Sequence, residues 1–195
     1  MVFSLVELAD LVVMIAAVAF IFKDSVRMPA KHDEQYDPLA DFAKPRFDFE
    51  GFRTAVFVAG PAIALHELGH KMVALAAGIP AVFHANYLWL AVGVALKAVN
   101  SPFIFFVPGF VTHAAASPAA SLLIGFAGPA VNLGLWLGSA AVVKWKKGLN
   151  SRALHILHMT GQINMFLFIF NMIPFPPFDG YTVFASLLRI AGVAL

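Results

Sequence analysis

Hydrophobic residues in this chain fall into long unbroken runs separated by one polar stretch and several short breaks, and the lengths of those runs predict most of its elements. Residues 3–22 (FSLVELADLVVMIAAVAFIF) are long enough to span a bilayer, and because they lack a basic leader they read as a retained helix and not a signal peptide. Residues 23–53 change character, with seven acidic and six basic residues and three prolines, and predict a water-exposed or interfacial connector. The next spanning run is 54–77, about 36 Å long at roughly 1.5 Å per residue. Residues 86–99 are apolar but short. Two β-prone runs then flank Pro108-Gly109 within 103–111 (FIFFVPGFV), which predicts a membrane-associated β-hairpin closed by a type II turn. Open strand edges are not tolerated against lipid, so such a hairpin must lie at an interface, be covered by helices or pair with a guest strand. Further spans follow at 119–143, where Gly125, Gly128, Gly134 and Gly138 would permit close helix contact, and at about 154–172. A proline-rich break at 174–177 precedes a last apolar helix over about 178–195.

The pattern predicts an all-α polytopic membrane protein with about five to six transmembrane helices and one small β-hairpin. It forms a single membrane-embedded domain, 1–195: a first transmembrane helix (1–22), a polar connector (23–53), a core (54–180) and a C-terminal helix (181–195). Composition agrees, with 61% hydrophobic and 12% charged residues and a mean hydropathy of +0.82, against about 25% charged residues in soluble domains. A net charge of +2, with no face that concentrates Lys and Arg, excludes a nucleic-acid partner. The absence of cysteine removes thiolate ligands and nucleophiles, so any metal site must use His, Asp or Glu.

Only two acidic residues, Glu67 and Asp179, occur after position 50. An ionisable group at the bilayer centre costs roughly 2.5–3.5 kcal/mol on insertion scales, which makes each a functional candidate. Glu67 lies in HELGH (66–70), inside the second span. On a helix His66 and His70 project about 40° apart and can grip one metal ion, while Glu67 points about 100° away from His66, suited to act as general base on metal-activated water. The competing reading is a pair of core histidines satisfied by backbone carbonyls, which leaves Glu67 without a role. A catalytic zinc usually takes three protein ligands, and by elimination Asp179 is the leading third. Its context NMIPFPPFDG (171–180) ends one helix and stretches the chain before the next. Taken alone, the same stretch fits a proline turn with an exposed Asp at a helix start. Thr160, Asn164 and Asn171 share one stripe that could face the metal cavity, and His155, His158 and Gln162 form another at the predicted headgroup boundary. Trp89, Trp136 and Trp145 read as interfacial anchors.

HELGH, GPAVN (128–132) and NMIPFPPFDG occur in separate membrane segments, and together they resemble the site-2 protease family of intramembrane zinc metalloproteases. The resemblance implies one Zn2+ held by His66, His70 and Asp179, Glu67 as catalytic base, Asn171 on the substrate carbonyl or its oxyanion, and Asn132 in a packing or substrate-contacting role. It also implies a substrate aligned by strand addition on the hairpin. No PDZ or CBS regulatory segment is recognised. The expected activity is that of an endopeptidase cutting within or next to a transmembrane helix of a membrane-protein partner, in the cell membrane with the site nearer the cytosol. Sidedness is contested within the sequence: Lys23, Arg27, Lys31 and the KWKK run favour the reverse by the positive-inside rule. The alternative function is a non-hydrolytic membrane metal-binding or metal-transport protein, which offers no reason for Glu67. A regulatory membrane partner stays open.

Overall fold

The computed structural model describes residues 3–27, 47–102 and 107–193. Among these, the element order is α1 (Leu5–Phe22), α2 (Phe49–Ala76), β1 (Ala81–Ala85), α3 (Tyr87–Ala98), β2 (Gly109–His113), α4 (Pro118–Trp145), α5 (Ser151–Asn171) and α6 (Asp179–Ile190). Local sequence sets most of the helix starts. Ser4 and Glu7 form a reciprocal capping box at α1 (Ser4 N to Glu7 Oε2, 2.8 Å), and Asp48 accepts from Gly51 N at 2.8 Å to open α2. Ser117 followed by Pro118 opens α4, and Asn150 accepts from Ala153 N at 2.8 Å at α5. Each cap satisfies a donor that the first helical turn leaves free.

Three helices, α1, α4 and α5, are long and apolar enough to cross a membrane. With 28 residues, α2 matches α4 in length, but its second half carries His66, Glu67, His70 and Lys71. It begins at Phe49, inside the stretch read as connector; residues 28–46 of that connector lie outside the described residues. The last helix departs from expectation. Instead of running over 178–195 it covers 12 residues, about 18 Å at ~1.5 Å per residue, and the chain turns off at Gly192 with φ +82°. That is too short for a bilayer core of about 30 Å, as is α3 at the same length.

The centre of the bundle is α2, which packs on α1, α4, α5 and both strands, while α4 also holds α5 and α6. Met14 and Val18 of α1, Ala59 and Ile63 of α2, Phe83 of β1 and Leu90 of α3 form the largest buried cluster. The glycines of α4 divide. A Cβ at Gly125 would meet Thr182 of α6 at 3.1 Å, whereas Gly134 and Gly138 have nothing within 4 Å, so only part of the predicted small-residue stripe makes close contact.

The sheet also differs from the predicted hairpin. Its two antiparallel strands are β1 and β2, in register Val82↔Thr112 and His84↔Phe110, with α3 inserted between them. Pro108-Gly109 is not a turn: Pro108 O accepts from Asn86 N at 3.0 Å, extending the ladder, and Gly109 starts β2. Residues 103–106, the first run of the expected hairpin, lie outside the described residues. Strand pairing here joins segments some thirty positions apart, a choice a local turn signal cannot reveal.

Two acids of α1 hold the sheet in place. The Glu7 carboxylate accepts from Phe83 N at 2.8 Å and from Lys71 Nζ of α2, and Asp10 accepts from Ala85 N at 3.1 Å and from the Tyr87 hydroxyl. Glu7 and Lys71 are 4% and 2% exposed, a buried ion pair that ties α1 to the helix carrying HELGH. Beyond the end of α1, Asp24 bonds Lys97 of α3 at 2.6 Å and Lys23 at 3.1 Å. The Lys97 hydrogen bond, above all, holds that carboxyl below its ordinary range.

Candidate active site

The i, i+4 spacing of His66 and His70 places both imidazoles on one face of α2, with ring centroids 4.7 Å apart. Each ring is oriented from behind. His70 Nδ1 donates to Ile124 O of α4 at 2.6 Å, a partner that can only accept. His66 Nδ1 meets Asn132 Oδ1 at 2.6 Å. The Asn132 amide nitrogen is spent on Ala62 O (3.0 Å) and Asn164 Oδ1 (2.8 Å), so its oxygen faces the ring and His66 Nδ1 is the donor. With both Nδ1 atoms protonated, the two Nε2 atoms of the neutral rings carry the lone pairs.

Those lone pairs converge. The two Nε2 atoms lie 3.1 Å apart, and Asp179 Oδ2 stands 3.0 Å from His66 Nε2 and 3.3 Å from His70 Nε2. That Asp179 oxygen is buried and has no amide or hydroxyl donor among the described residues. Three electron-pair donors gathered in this way repel one another unless a cation lies among them. Tetrahedral zinc with ligands at about 2.0–2.2 Å sets neighbouring ligand atoms about 3.3–3.5 Å apart, and two imidazoles plus one carboxylate with an open fourth position is a known catalytic donor set. The residues fit such an ion.

Two glycines make the convergence possible. A Cβ at Gly128 would fall 2.6 Å from His66 Nε2 and closer still to His70 Nε2, so the glycine of GPAVN is what lets α4 pass beside the rings. At Gly180 a Cβ would sit 2.5 Å from the carbonyl oxygens of Met172 and Ile173, so the chain folds tightly back after α5 and delivers Asp179 at the start of α6. The Pro176-Pro177 peptide within this return is cis.

Glu67, 7% exposed, lines a cavity of about 650 Å³ together with His66, His70, Asp179, Asn171 and His113. Asn171 closes α5 on the cavity wall. The Asn132 side chain lies fully buried behind His66 with its hydrogen bonds committed inward, and it does not line the cavity. The expected polar stripe of α5 is likewise split. Asn164 turns inward to Asn132 and donates to Thr160 O at 2.8 Å, while Asn171 alone of the three lines the cavity. His155 bonds Val26 O at 3.1 Å, apart from the convergence. Sequence reasoning missed Asn164 as the support of Asn132, and His113 as a cavity residue. Both appear only once the helices and strands are brought together.

Comparison with known proteins decides the family. Over 185 residues the chain is 31% identical to a Methanocaldococcus jannaschii protein named "Putative zinc metalloprotease", an alignment covering 93% of this chain and 84% of that relative. Residues 137–194 match the description of peptidase family M50. The chain belongs to peptidase family M50, the site-2 protease family. A second relative of the M50 chain, from Synechocystis and also named "Putative zinc metalloprotease", is 33% identical over 138 residues; the alignment covers 71% of this chain and 32% of that protein. No solved structure matches the M50 chain. Family membership and the three long apolar helices make it a membrane protein.

Proposed function

We propose that this M50 chain is a zinc-dependent intramembrane endopeptidase, multi-pass in its membrane, that hydrolyses peptide bonds within or next to transmembrane segments of other membrane proteins. The observation that carries the reading is the meeting of His66 Nε2, His70 Nε2 and Asp179 Oδ2 within 4.8 Å of one another, beside a carboxylate, Glu67, that opens on the same cavity. His66, His70 and Asp179 would hold zinc, which when bound supplies Lewis acidity for the scissile carbonyl and lowers the pKa of water towards about 7. Glu67 accepts the proton of the attacking water and passes it to the leaving amine. Asn171, on the cavity wall, offers an amide donor to the carbonyl oxygen as charge develops on it. Asn132 and Ile124 O keep the imidazoles in the tautomer that presents Nε2.

The sheet supports a binding mode for the substrate. On β1 the amides of Phe83 and Ala85 point away from β2 and are taken by Glu7 and Asp10. The ladder bonds Asn86 N to Pro108 O and Ala114 N to Pro80 O fix the alternation. The main-chain groups of Gly109, Val111 and His113 therefore face the opposite side of β2, which pairs with no other strand among the described residues, and all three residues line the cavity. A substrate segment drawn out of its helix pairs there as an added strand, with its carbonyls exposed to Glu67 and the metal ligands.

The test is cleavage of a reporter transmembrane helix by the purified chain in detergent. Activity lost to a chelator, restored by zinc, and absent from Glu67→Gln at unchanged zinc content is the expected result. Full cleavage by Glu67→Gln, or zinc binding without cleavage of any membrane helix tried, favours the non-hydrolytic metal-binding alternative.

A further inference from the structure

Away from the catalytic cavity, α4 and α5 enclose a second groove of about 300 Å³, lined by Trp136, Ala140, Lys144, Leu157, His158 and Gln162 among others. Its form follows from how the two helices touch. They approach closely at Ser139 and Gly161, where a Cβ on Gly161 would lie 2.8 Å from Ser139 Oγ, and again where the Trp136 and Phe168 rings lie 6.4 Å apart. These two contacts set the antiparallel register and bring Lys144 level with His158, near the helix ends. One turn deeper stand Ala140 and Gln162, and Trp136 and Met165 close the apolar end. From Lys144 to Trp136 is eight residues of helix, about 12 Å at ~1.5 Å per residue.

We infer that this groove binds one anionic phospholipid of the surrounding bilayer, its phosphate at Lys144 and His158 and an acyl chain along Ala140, Leu157 and Trp136. Charge favours an anion. Lys144 is followed by Lys146, Lys147 and Arg152 around the turn that joins the helices, and no acidic residue lines the groove. Basic pockets between membrane helices bind acidic lipid headgroups for this reason. Polarity along the groove matches an amphiphile, with cationic and hydrogen-bonding groups at one end and hydrocarbon at the other. Lys144, His158 and Gln162 are all exposed, and none makes a side-chain hydrogen bond or ion pair among the described residues. A docked apolar helix is the wrong occupant, because it would strip water from those polar groups without replacing it. A phosphodiester reaches them from the headgroup region.

The experiment leaves Trp136 as sole tryptophan in the full-length chain (Trp89→Phe, Trp145→Phe) and titrates it in mixed micelles with brominated phosphatidylglycerol or brominated phosphatidylcholine, following quenching. The anionic lipid should quench at a mole fraction at least fivefold lower than the zwitterionic one. Lys144→Ala/His158→Ala should remove that preference, since a juxtamembrane charge is worth about fivefold in binding. Ala140→Phe, a substitution at an exposed position, fills the apolar part and should weaken quenching by both lipids while every charge remains. Equal quenching by the two headgroups, or a preference unchanged in the double variant, overturns the inference. Displacement of the lipid by millimolar inorganic phosphate assigns a free-anion site instead. Protection of Trp136 that grows with protein-to-detergent ratio assigns the groove to a second copy of the chain.

Discussion

Replacing Gly128 by alanine sets two effects of known size against each other. Helix α4 itself gains less than the ~0.8–1.0 kcal/mol by which alanine is favoured over glycine in a helix interior, because the ring of Pro129 crowds a Cβ on the residue before it. The metal ligands lose. The added methyl would stand 2.6 Å from His66 Nε2, where ordinary van der Waals contact is 3.4–4 Å, so the rings must retreat by close to 1 Å. Retreat is resisted from behind by the 2.6 Å bonds to Asn132 and Ile124 O. A displacement of about 1 Å at a reacting centre costs on the order of 100-fold in rate. Gly128→Ala should therefore unfold close to the parent midpoint, yet bind zinc more weakly and cleave a reporter helix about 100-fold more slowly. Zinc content by elemental analysis, cleavage by gel and unfolding in detergent are read on the same preparation. A variant that keeps both zinc and parental activity would refute the argument that α4 needs a glycine to pass the imidazoles. A variant that fails to fold would refute the claim that the strain is confined to the rings.

Further outcomes follow from the supporting contacts. Asn132→Ala removes the acceptor that fixes the His66 tautomer and should weaken zinc binding by about 10–100-fold, measured by competition with a chelator of known affinity. Val111→Pro deletes an edge amide that bonds nothing within the sheet, and it should reduce cleavage through KM by tenfold or more while zinc content holds, with a lower unfolding midpoint because the Val111 side chain packs against two buried clusters; an unchanged KM would end the strand-addition reading. Lys71→Met leaves the Glu7 carboxylate buried without its cation and should lose about 3–5 kcal/mol of stability. Glu7→Gln/Lys71→Met should lose clearly less, which denaturation of single and double variants will show.

The convergence was legible in the sequence to the extent that it rests on local periodicity and on scarcity. His66 and His70 share a face because of helix pitch, and Asp179 stands out because a bilayer makes other acids rare. The supports were not legible. Glu7 and Asp10 look from the sequence like polar residues tolerated near a helix end, since nothing local announces that their partners, Lys71, Phe83 and Ala85, lie more than sixty positions away. Strand β1 is five residues within an apolar stretch, too short for a periodic signature, and Pro108-Gly109 offered a nearer and misleading explanation for β2. Asn164 read as one member of a wet stripe because helical angle reports direction but not which neighbour stands there.

The acids that take the Phe83 and Ala85 amides of β1 also limit how far the sheet can grow. A bare two-stranded sheet offers a template on both sides and can recruit chain after chain into a stack. Here side chains from α1 take the outward amides of Phe83 and Ala85, so under the proposed strand addition the sheet has a valence of one, with room for a single incoming segment beside β2.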